Sequence, residues 1–464
     1  MTYAFSFDAS ACSGCKACQE ACKDKNGLPV GILWRRVIEV SGGEWQAHGS
    51  AWENSVFAYN LSVACNHCTH PKCAGVCPTD AYQVRPDGIV LLDATKCMGC
   101  GYCTWACPYA APQYDIQSGV MTKCDFCADR LDAGLPPSCV AACPLRVLNY
   151  CQLEDMEMMK GGQRLWQLPG TEHPFPLPAF SRTEPHLVVK PHLAMQTTLD
   201  KSVANAEEIW PPGSSEHQRG LVAAHELPLV AFTLLAQMAA GLALGGLVTP
   251  LSMPAMLSIG MLLGLGGLIS FLHLGRKRNA WRAVVHIRKS WLSREVLMAG
   301  LFAIAWAVTA GWQVWQGSPT TPWPMAILGI GLVYSMSRVY RLRAVPSWNT
   351  WRTQAAFFLS TITLGSLGLH LFQLQARWIY IGAFGLVCEL AITLSVQPPP
   401  HKIAGWLRVI FFGLSLLGAL LVIVLPSVTG IWMAGWVLTF ALAGEVTGRW
   451  LFYASRAPFP YQAG

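Results

Sequence analysis

Sixteen of the chain's eighteen cysteines stand before residue 144 in four groups of four: Cys12, Cys15, Cys18 and Cys22; Cys65, Cys68, Cys73 and Cys77; Cys97, Cys100, Cys103 and Cys107; and Cys124, Cys127, Cys139 and Cys143. The first and third groups carry the C-x2-C-x2-C-x3-C run. In that run three closely spaced thiolates grip one iron-sulfur cluster, and the fourth, commonly before a proline, turns to a neighbouring cluster. Pro78, Pro108 and Pro144 follow the fourth cysteine of the last three groups. Four groups therefore predict four [4Fe-4S] clusters, with all sixteen cysteines as ligands.

Two other chemistries use cysteines in even numbers. A disulfide framework suits a secreted chain, but cysteines three apart on a tight turn converge on a metal more readily than they pair, and Met1 begins no apolar signal peptide. Zinc ribbons also use C-x2-C pairs, yet a repeated fourth cysteine followed by proline is not a ribbon pattern. Cys151 and Cys388 lie outside the groups and read as buried or inert thiols. Lys16, Lys23, Lys72, Lys96 and Lys123 neighbour ligand positions; they either offset negative cluster charge or are solvated surface lysines.

A row of cubanes carries electrons one at a time and makes no substrate bond. From about Leu227 the chain turns strongly apolar, and a mean hydropathy of +0.35 over all 464 residues reflects that half. Segments near the roughly 20 residues needed to span a bilayer are predicted at residues 227–249, 254–274, 296–316, 323–340, 355–374, 378–396, 409–426 and 428–453, the fourth being trimmed by Arg338 and Arg341. Gly241, Gly245, Gly246, Gly264, Gly266 and Gly267 suit close helix packing in lipid. Trp281, Trp291, Trp323, Trp351, Trp378 and Trp406 stand at or beyond segment ends, as an interfacial belt does.

An electron wire joined to such spans needs a lipid-soluble partner, and a quinone or quinol meets that need. His273 closes the second span and Glu295 opens the third on the same side, so the pair could accept the protons a quinol releases. Alternatively, His273 caps its helix and Glu295 pairs with Arg294 or the helix dipole. The two span histidines, His273 and His370, make no compelling heme site. Glu389 lies within a span. Glu445 and Arg449, four apart, read as an ion pair, and His225 and Glu226 as interfacial residues before the first span.

Charge distribution addresses orientation. The net +7 does not point to nucleic acid, because Arg276, Lys277, Arg278, Arg282, Arg288, Lys289 and Arg294 all fall between spans two and three. Arg341, Arg343, Arg352, Lys402, Arg408 and Arg456 mark alternate connections further on. The positive-inside rule then places both termini and the cysteine-rich half on the cytoplasmic face of the inner membrane, with the periplasmic face as the alternative. The Pro-rich and polar stretch 152–219 reads as an arm and linker. The predicted architecture is an α+β ferredoxin-like dicluster-repeat domain with its arm at 1–195, a linker at 196–222 and an all-α, eight-helix membrane domain at 223–456. Short strands are expected at 37–40, 56–61 and 89–92.

These residues resemble a known family. Cys12-Ser13-Gly14-Cys15-Lys16, Val63-Ala64-Cys65-Asn66-His67-Cys68, Cys97-Met98-Gly99-Cys100, Ala106-Cys107-Pro108-Tyr109 and Met121-Thr122-Lys123-Cys124-Asp125 resemble the electron-transfer subunit of dimethyl sulfoxide reductase-type molybdoenzymes. His225-Glu226-Leu227-Pro228-Leu229, His273-Leu274-Gly275, Val345-Pro346-Ser347-Trp348-Asn349-Thr350 and Gly444-Glu445-Val446-Thr447-Gly448-Arg449 are similar to the membrane anchor of the same enzymes. The resemblance implies clusters on Cys12, Cys15, Cys18 with Cys143; Cys124, Cys127, Cys139 with Cys22; Cys65, Cys68, Cys73 with Cys107; and Cys97, Cys100, Cys103 with Cys77. Cys100 stands where nitrate-reductase relatives carry a tryptophan and a three-iron centre. The family also implies that the third-group cluster lies nearest the membrane and that His273 and Glu295 shape the quinol site.

The chain departs from the family in fusing two subunits. Nothing in it binds molybdopterin, so the substrate belongs to a separate molybdopterin catalytic subunit. The expectation is an electron-transfer and anchor subunit, non-catalytic apart from its quinol half-reaction, working among membrane lipid. The rivals are the same role in a cytoplasm-facing sulfite-oxidising complex, a redox-linked ion pump and a transmembrane redox sensor.

Overall fold

Strand β1 (Tyr3–Asp8) is buried over its middle four residues, because it runs between two partners rather than along an edge. It pairs antiparallel with β10 (Leu148–Gln152) and parallel with β12 (Leu187–Lys190), which set Phe5 opposite Tyr150 and Leu187. The sheet order is β10-β1-β12-β11, with β11 at Gln163–Arg164. Antiparallel pairs make up the rest of the strand structure: β2 (Arg36–Gly42) with β5 (Phe57–Val63), β3 (Trp45–His48) with β4 (Ala51–Asn54), β6 (Tyr82–Val84) with β7 (Val90–Leu92), and β8 (Gln113–Asp115) with β9 (Val120–Thr122). Short helices α1 (Ala17–Asn26), α2 (Lys72–Val76), α3 (Tyr102–Ala106), α4 (Ala128–Asp132) and α5 (Ser138–Ala141) fall within or just after the cysteine groups. Phe5 stacks on Phe126 at 4.1 Å, and Phe7, Leu61, Ile89 and Leu148 fill the same core beside the cysteines.

This computed structural model describes residues 2–43, 45–154, 163–164, 183–193, 226–395, 402–425 and 430–455. They form two compact units. The expected strands 37–40, 56–61 and 89–92 fall on β2, β5 and β7. The expected linker at 196–222, His225 and Arg456 lie outside the described residues.

The second unit contains eight long helices among the described residues: α6 (Leu227–Gly245), α7 (Met253–Leu272), α8 (Trp291–Gln316), α9 (Trp323–Tyr340), α10 (Trp351–Gln373), α11 (Ala376–Leu394), α12 (Lys402–Val424) and α13 (Ile431–Ala454). Seven of them are long and apolar enough to cross a membrane; α9 falls short, since Arg338 interrupts an 18-residue helix. The expected eight spans are therefore seven by that measure, with α9 as an eighth helix of the bundle. Helix α8 starts at Trp291, so Glu295 lies one turn inside it rather than at its opening.

Glycine use is split. A Cβ on Gly241 would meet the Thr361 carbonyl oxygen at 2.1 Å and Gly365 Cα at 2.7 Å, so α6 and α10 touch backbone to backbone there. Gly264 and Gly267 face open space; their expected packing role is corrected. Trp281, Trp323, Trp351 and Trp406 are exposed as an interfacial belt requires, whereas Trp378 is buried against Gly245.

Candidate iron-sulfur centres and membrane redox site

A local device recurs in the cysteine loops. Two residues after the first cysteine of each group, the backbone enters the left-handed region: Gly14 (φ 71°), His67 (φ 43°), Gly99 (φ 73°) and Phe126 (φ 62°). At three of the four, the turn brings a backbone N–H onto the first sulfur. Gly99 N donates to Cys97 Sγ and Phe126 N to Cys124 Sγ, both at 3.4 Å, and Gly14 donates to Cys12. His67 and Phe126 hold that conformation despite their Cβ, which costs free energy unless the surroundings enforce it. Three residues after the fourth cysteine, Asp80, Ala110 and Arg146 repeat the left-handed step, and the next N–H, at Ala81, reaches Cys77 Sγ at 3.4 Å. The loops thus bend around something at the sulfurs and point donors at it.

The sulfurs assemble in four sets. Cys12 faces Cys15, Cys18 and Cys143, and these four border a small pocket with Phe7, Val37 and Leu148. Cys65, Cys68, Cys73 and Cys107 border another. Cys100 and Cys103 lie within interaction range of Cys77 and Cys97, and Cys22 within range of Cys127 and Cys139, with Cys124 beside it. Each set draws three cysteines from one group and the fourth from another.

The donor set suits iron-sulfur clusters. No cysteine forms a disulfide. Among the described residues, no three His, Cys, Asp or Glu side chains are disposed around a single ion. A zinc site would need four donors about 2.3 Å from one point, whereas a cluster carries its irons at the corners of a cube and spreads its thiolates. Burial pushes the Cys22 and Cys100 thiols up to about 12 and Cys107 up to about 11. Thiols so placed ionise when positive charge arrives with the metal.

The five neighbouring lysines divide. Lys16, Lys72 and Lys96 are exposed and Lys23 half-buried. Lys123 is buried and donates to the Val90 and Cys124 carbonyls. Sequence reasoning missed Arg35, which is 2 % exposed beside the sulfurs; the only signal for it is a basic pair directly ahead of an apolar strand.

In the second unit, His273 is the C-cap of α7, and its Nδ1–H donates to the Ser270 carbonyl at 2.6 Å. That fixes the tautomer and leaves Nε2 as an acceptor. Glu295 is buried, 5 % exposed. The expected alternative of a pair with Arg294 does not form. Arg294 instead donates to the Ile287 and Arg288 carbonyls at 2.9 and 2.8 Å and stacks on Trp291. The connection from 273 to 290 puts both residues at one end of the helices, but the described contacts do not join them.

Sequence profiles and curated relatives now bear on this arrangement. The profile of the 4Fe-4S dicluster domain matches residues 56–153, and that of the dimethyl sulfoxide reductase anchor subunit (DmsC) matches residues 221–396. The probable anaerobic dimethyl sulfoxide reductase subunit YnfG of Escherichia coli K12 is 43% identical over 209 residues, covering 45% of this chain and 98% of the relative. The B subunit of the anaerobic dimethyl sulfoxide reductase of Haemophilus influenzae is 43% identical over 211 residues, with the same coverage. The thiosulfate reductase electron transfer subunit PhsB of Salmonella typhi is 37% identical over 159 residues, covering 34% of this chain and 80% of the relative.

The chain belongs to the dimethyl sulfoxide reductase-type iron-sulfur subunit family. It carries an iron-sulfur electron-transfer unit and a DmsC-type anchor in one polypeptide, and it is an integral multi-pass membrane protein. The dicluster profile spans the second, third and fourth cysteine groups, and the anchor profile ends just after α11.

Helices α12 and α13 of this anchor lie beyond the profile and carry part of a buried polar cluster. Arg449 Nη2 donates to Gln237 Oε1 at 3.0 Å while its guanidinium covers Phe357 at 3.6 Å. Gln237 Nε2 donates to the Phe357 carbonyl at 2.6 Å. Glu389 accepts from Thr363 at 3.2 Å and lies 3.8 Å from Arg408. Glu445 lies within interaction range of Glu389 and Arg449. The expected Glu445–Arg449 ion pair is corrected: among the described residues no such contact occurs within 4.0 Å, because packing turns Arg449 toward α6 and α10 instead of along its own helix.

Proposed function

We propose that this protein passes electrons between the membrane quinone or quinol pool and a separate molybdopterin catalytic subunit. The observation that carries the reading is the convergence of four sets of four cysteines in a unit covalently joined to membrane helices. Cys12, Cys15, Cys18 and Cys143 hold one [4Fe-4S] cluster; Cys65, Cys68, Cys73 and Cys107 a second; Cys77, Cys97, Cys100 and Cys103 a third; Cys22, Cys124, Cys127 and Cys139 a fourth. When bound, these clusters supply one-electron transfer. The chain's own contribution is to shield most of the sulfurs from water and to aim backbone N–H groups at several of them.

His273 and Glu295 form the quinol site in this reading. Nε2 of His273 is free to accept a hydrogen bond because Nδ1 is committed to Ser270, and Glu295 offers a buried carboxyl at the same end of the helices. Together they take up protons as a quinol gives up its electrons. In this reading the iron-sulfur domain, residues 1–195, lies on the cytoplasmic face of the inner membrane, followed by a linker at 196–222 and the anchor at 223–456; the basic connection after α7 supports that orientation. The terminal substrate belongs to the partner subunit, in keeping with relatives named for dimethyl sulfoxide and for thiosulfate reduction.

Iron analysis of the purified protein tests the cluster assignment, with about sixteen irons expected; about eight contradicts it. His273→Ala and Glu295→Gln should each slow cluster reduction by a quinol analogue at least tenfold while dithionite reduces the clusters fully. Wild-type rates in fully loaded variants rule out the quinol site.

A further inference from the structure

Arg35 is a buried cation with no carboxylate in ion-pair contact among the described residues. Its guanidinium lies 4.3 Å from the centre of the Phe5 ring, and Nη1 donates to Ser62 Oγ at 3.1 Å and to the Ser62 carbonyl at 3.4 Å. Nε and Nη2 have no hydrogen-bond partner, and the groups whose charge faces it are Cys139, Cys124, Cys18 and Cys22. A guanidinium removed from water with open donors is costly unless an anion meets it. Three of those four cysteines belong to the set of Cys22, Cys124, Cys127 and Cys139, and Cys18 belongs to the set of Cys12, Cys15, Cys18 and Cys143. Arg35 therefore stands between two cysteine sets.

Its reach extends to both. The Arg35 backbone N–H donates to Cys22 Sγ. Ser62 Oγ, accepting from Nη1, lies 3.4 Å from Cys18 Sγ; with its lone pair engaged, its own hydrogen is available to that sulfur. Phe5, beneath the guanidinium, stacks on Phe126, whose N–H meets Cys124 Sγ. Ser62 thus joins Arg35 to Cys18 directly, and Phe5 joins it to Cys124 through Phe126.

We propose that Arg35 is the shared internal counter-ion of these two clusters, holding their reduction potentials up through direct charge on one and through Ser62 on the other. The proposal rests on the four-cluster reading above. A cluster with four thiolates is anionic and gains one negative charge on reduction, so a fixed neighbouring cation favours the reduced form. Low local dielectric and full burial keep that charge from being screened. Arg35 exchanges no electrons; it is a tuning residue.

The test is an EPR-monitored redox titration of the membrane-extracted full chain, wild type against Arg35→Met, Arg35→Lys and Ser62→Ala. Iron content is measured first. Two of the four potentials should fall in Arg35→Met by at least a tenfold change in the reduction equilibrium, which is 59 mV for one electron. The cluster assigned by signal loss in Cys139→Ala should shift more than the one lost in Cys18→Ala, and the other two should stay put. Arg35→Lys should recover most of the shift, and Ser62→Ala should move only the Cys18 cluster. If Arg35→Met fails to load those two clusters, loading in Arg35→Lys at near-wild-type potentials supports the counter-ion, and failure in both overturns it. Unchanged potentials in fully loaded Arg35→Met also overturn it. About eight irons in the wild type instead sinks the underlying four-cluster reading.

Discussion

Two buried arginines, Arg35 in the iron-sulfur unit and Arg449 in the anchor, meet the same problem in opposite ways. Both are almost fully buried, both lie over a phenylalanine ring, and both leave Nε without a hydrogen bond. Around Arg449 the chain itself supplies anions, with Glu445 and Glu389 within range and Gln237 accepting from Nη2. Around Arg35 the described residues supply only thiols, and burial pushes those of Cys18, Cys22 and Cys124 up. The anchor supplies Arg449 with counter-groups from its own helices. The iron-sulfur unit is completed by its cofactor.

The largest consequence concerns metal removal. Stripping iron with a chelator under reducing conditions should unfold the N-terminal unit, because its many short loops lose the bonds that tie them and Arg35 loses its anion. The anchor helices should persist. Hydrogen exchange should show collapse of protection across β1, β10 and β12 together with retained protection in α6 and α10. Retained protection in both units would break the comparison, since it would mean that the first fold stands without its metal.

Next in size is the anchor's own charge cluster. Arg449→Met removes the charged hydrogen bond to Gln237 and the positive charge within range of Glu445 and Glu389, and losing a buried hydrogen bond from a charged group costs about 1.5–3 kcal/mol. Arg449→Lys keeps the charge but loses the planar fork that reaches Gln237 while covering Phe357, so an intermediate loss is expected. The measurement is thermal unfolding of the detergent-solubilised protein followed by helix content. A loss as small in Arg449→Met as in an exposed control such as Arg343→Met would show that the cluster is not holding α6, α10 and α13 together.

These contrasts also mark where the sequence was legible. The cysteine groups, the β2, β5 and β7 strands and the long apolar helices are local patterns and read directly. The sheet built on β1 was missed because Phe5 finds Tyr150 and Leu187 far along the chain, and a six-residue run carries no sign of partners that distant. Arg35 escaped because only tertiary packing brings its guanidinium beside the sulfurs; the adjacent Arg36 is buried too, but donates to the Leu33 carbonyl. Glu445 and Arg449 obey the spacing for one helical face, but that face meets α6 and α10, and Gln237 took the guanidinium. Gly241 and Gly264 look alike as residues; only the neighbouring helix tells a contact from open space.

The smallest expected effect concerns an ion pair at the surface, and it sharpens the comparison by removing burial. Lys190 Nζ donates to Asp8 Oδ2 at 2.8 Å, closing β12 onto β1 where these residues are in register. Both side chains keep substantial access to water, so the pair should be worth less than about 1 kcal/mol. Burial pushes the Asp8 carboxyl up, but hydrogen bonds from Lys190 and Ser10 outweigh it and leave the group below its usual value of 3.8. The sign follows: a depressed carboxyl contributes stability that is fully present above 3.8 and is lost as pH falls through the lower folded value. Lys190→Met should therefore speed exchange of the β12 amides by less than about fivefold, by the same factor from about pH 8 to pH 5. A factor that changed across that window would mean another titrating group controls β12. One much above fivefold would mean that a solvated pair can matter as much as the buried charges of Arg35 and Arg449, and the contrast between the two units would rest on something other than burial.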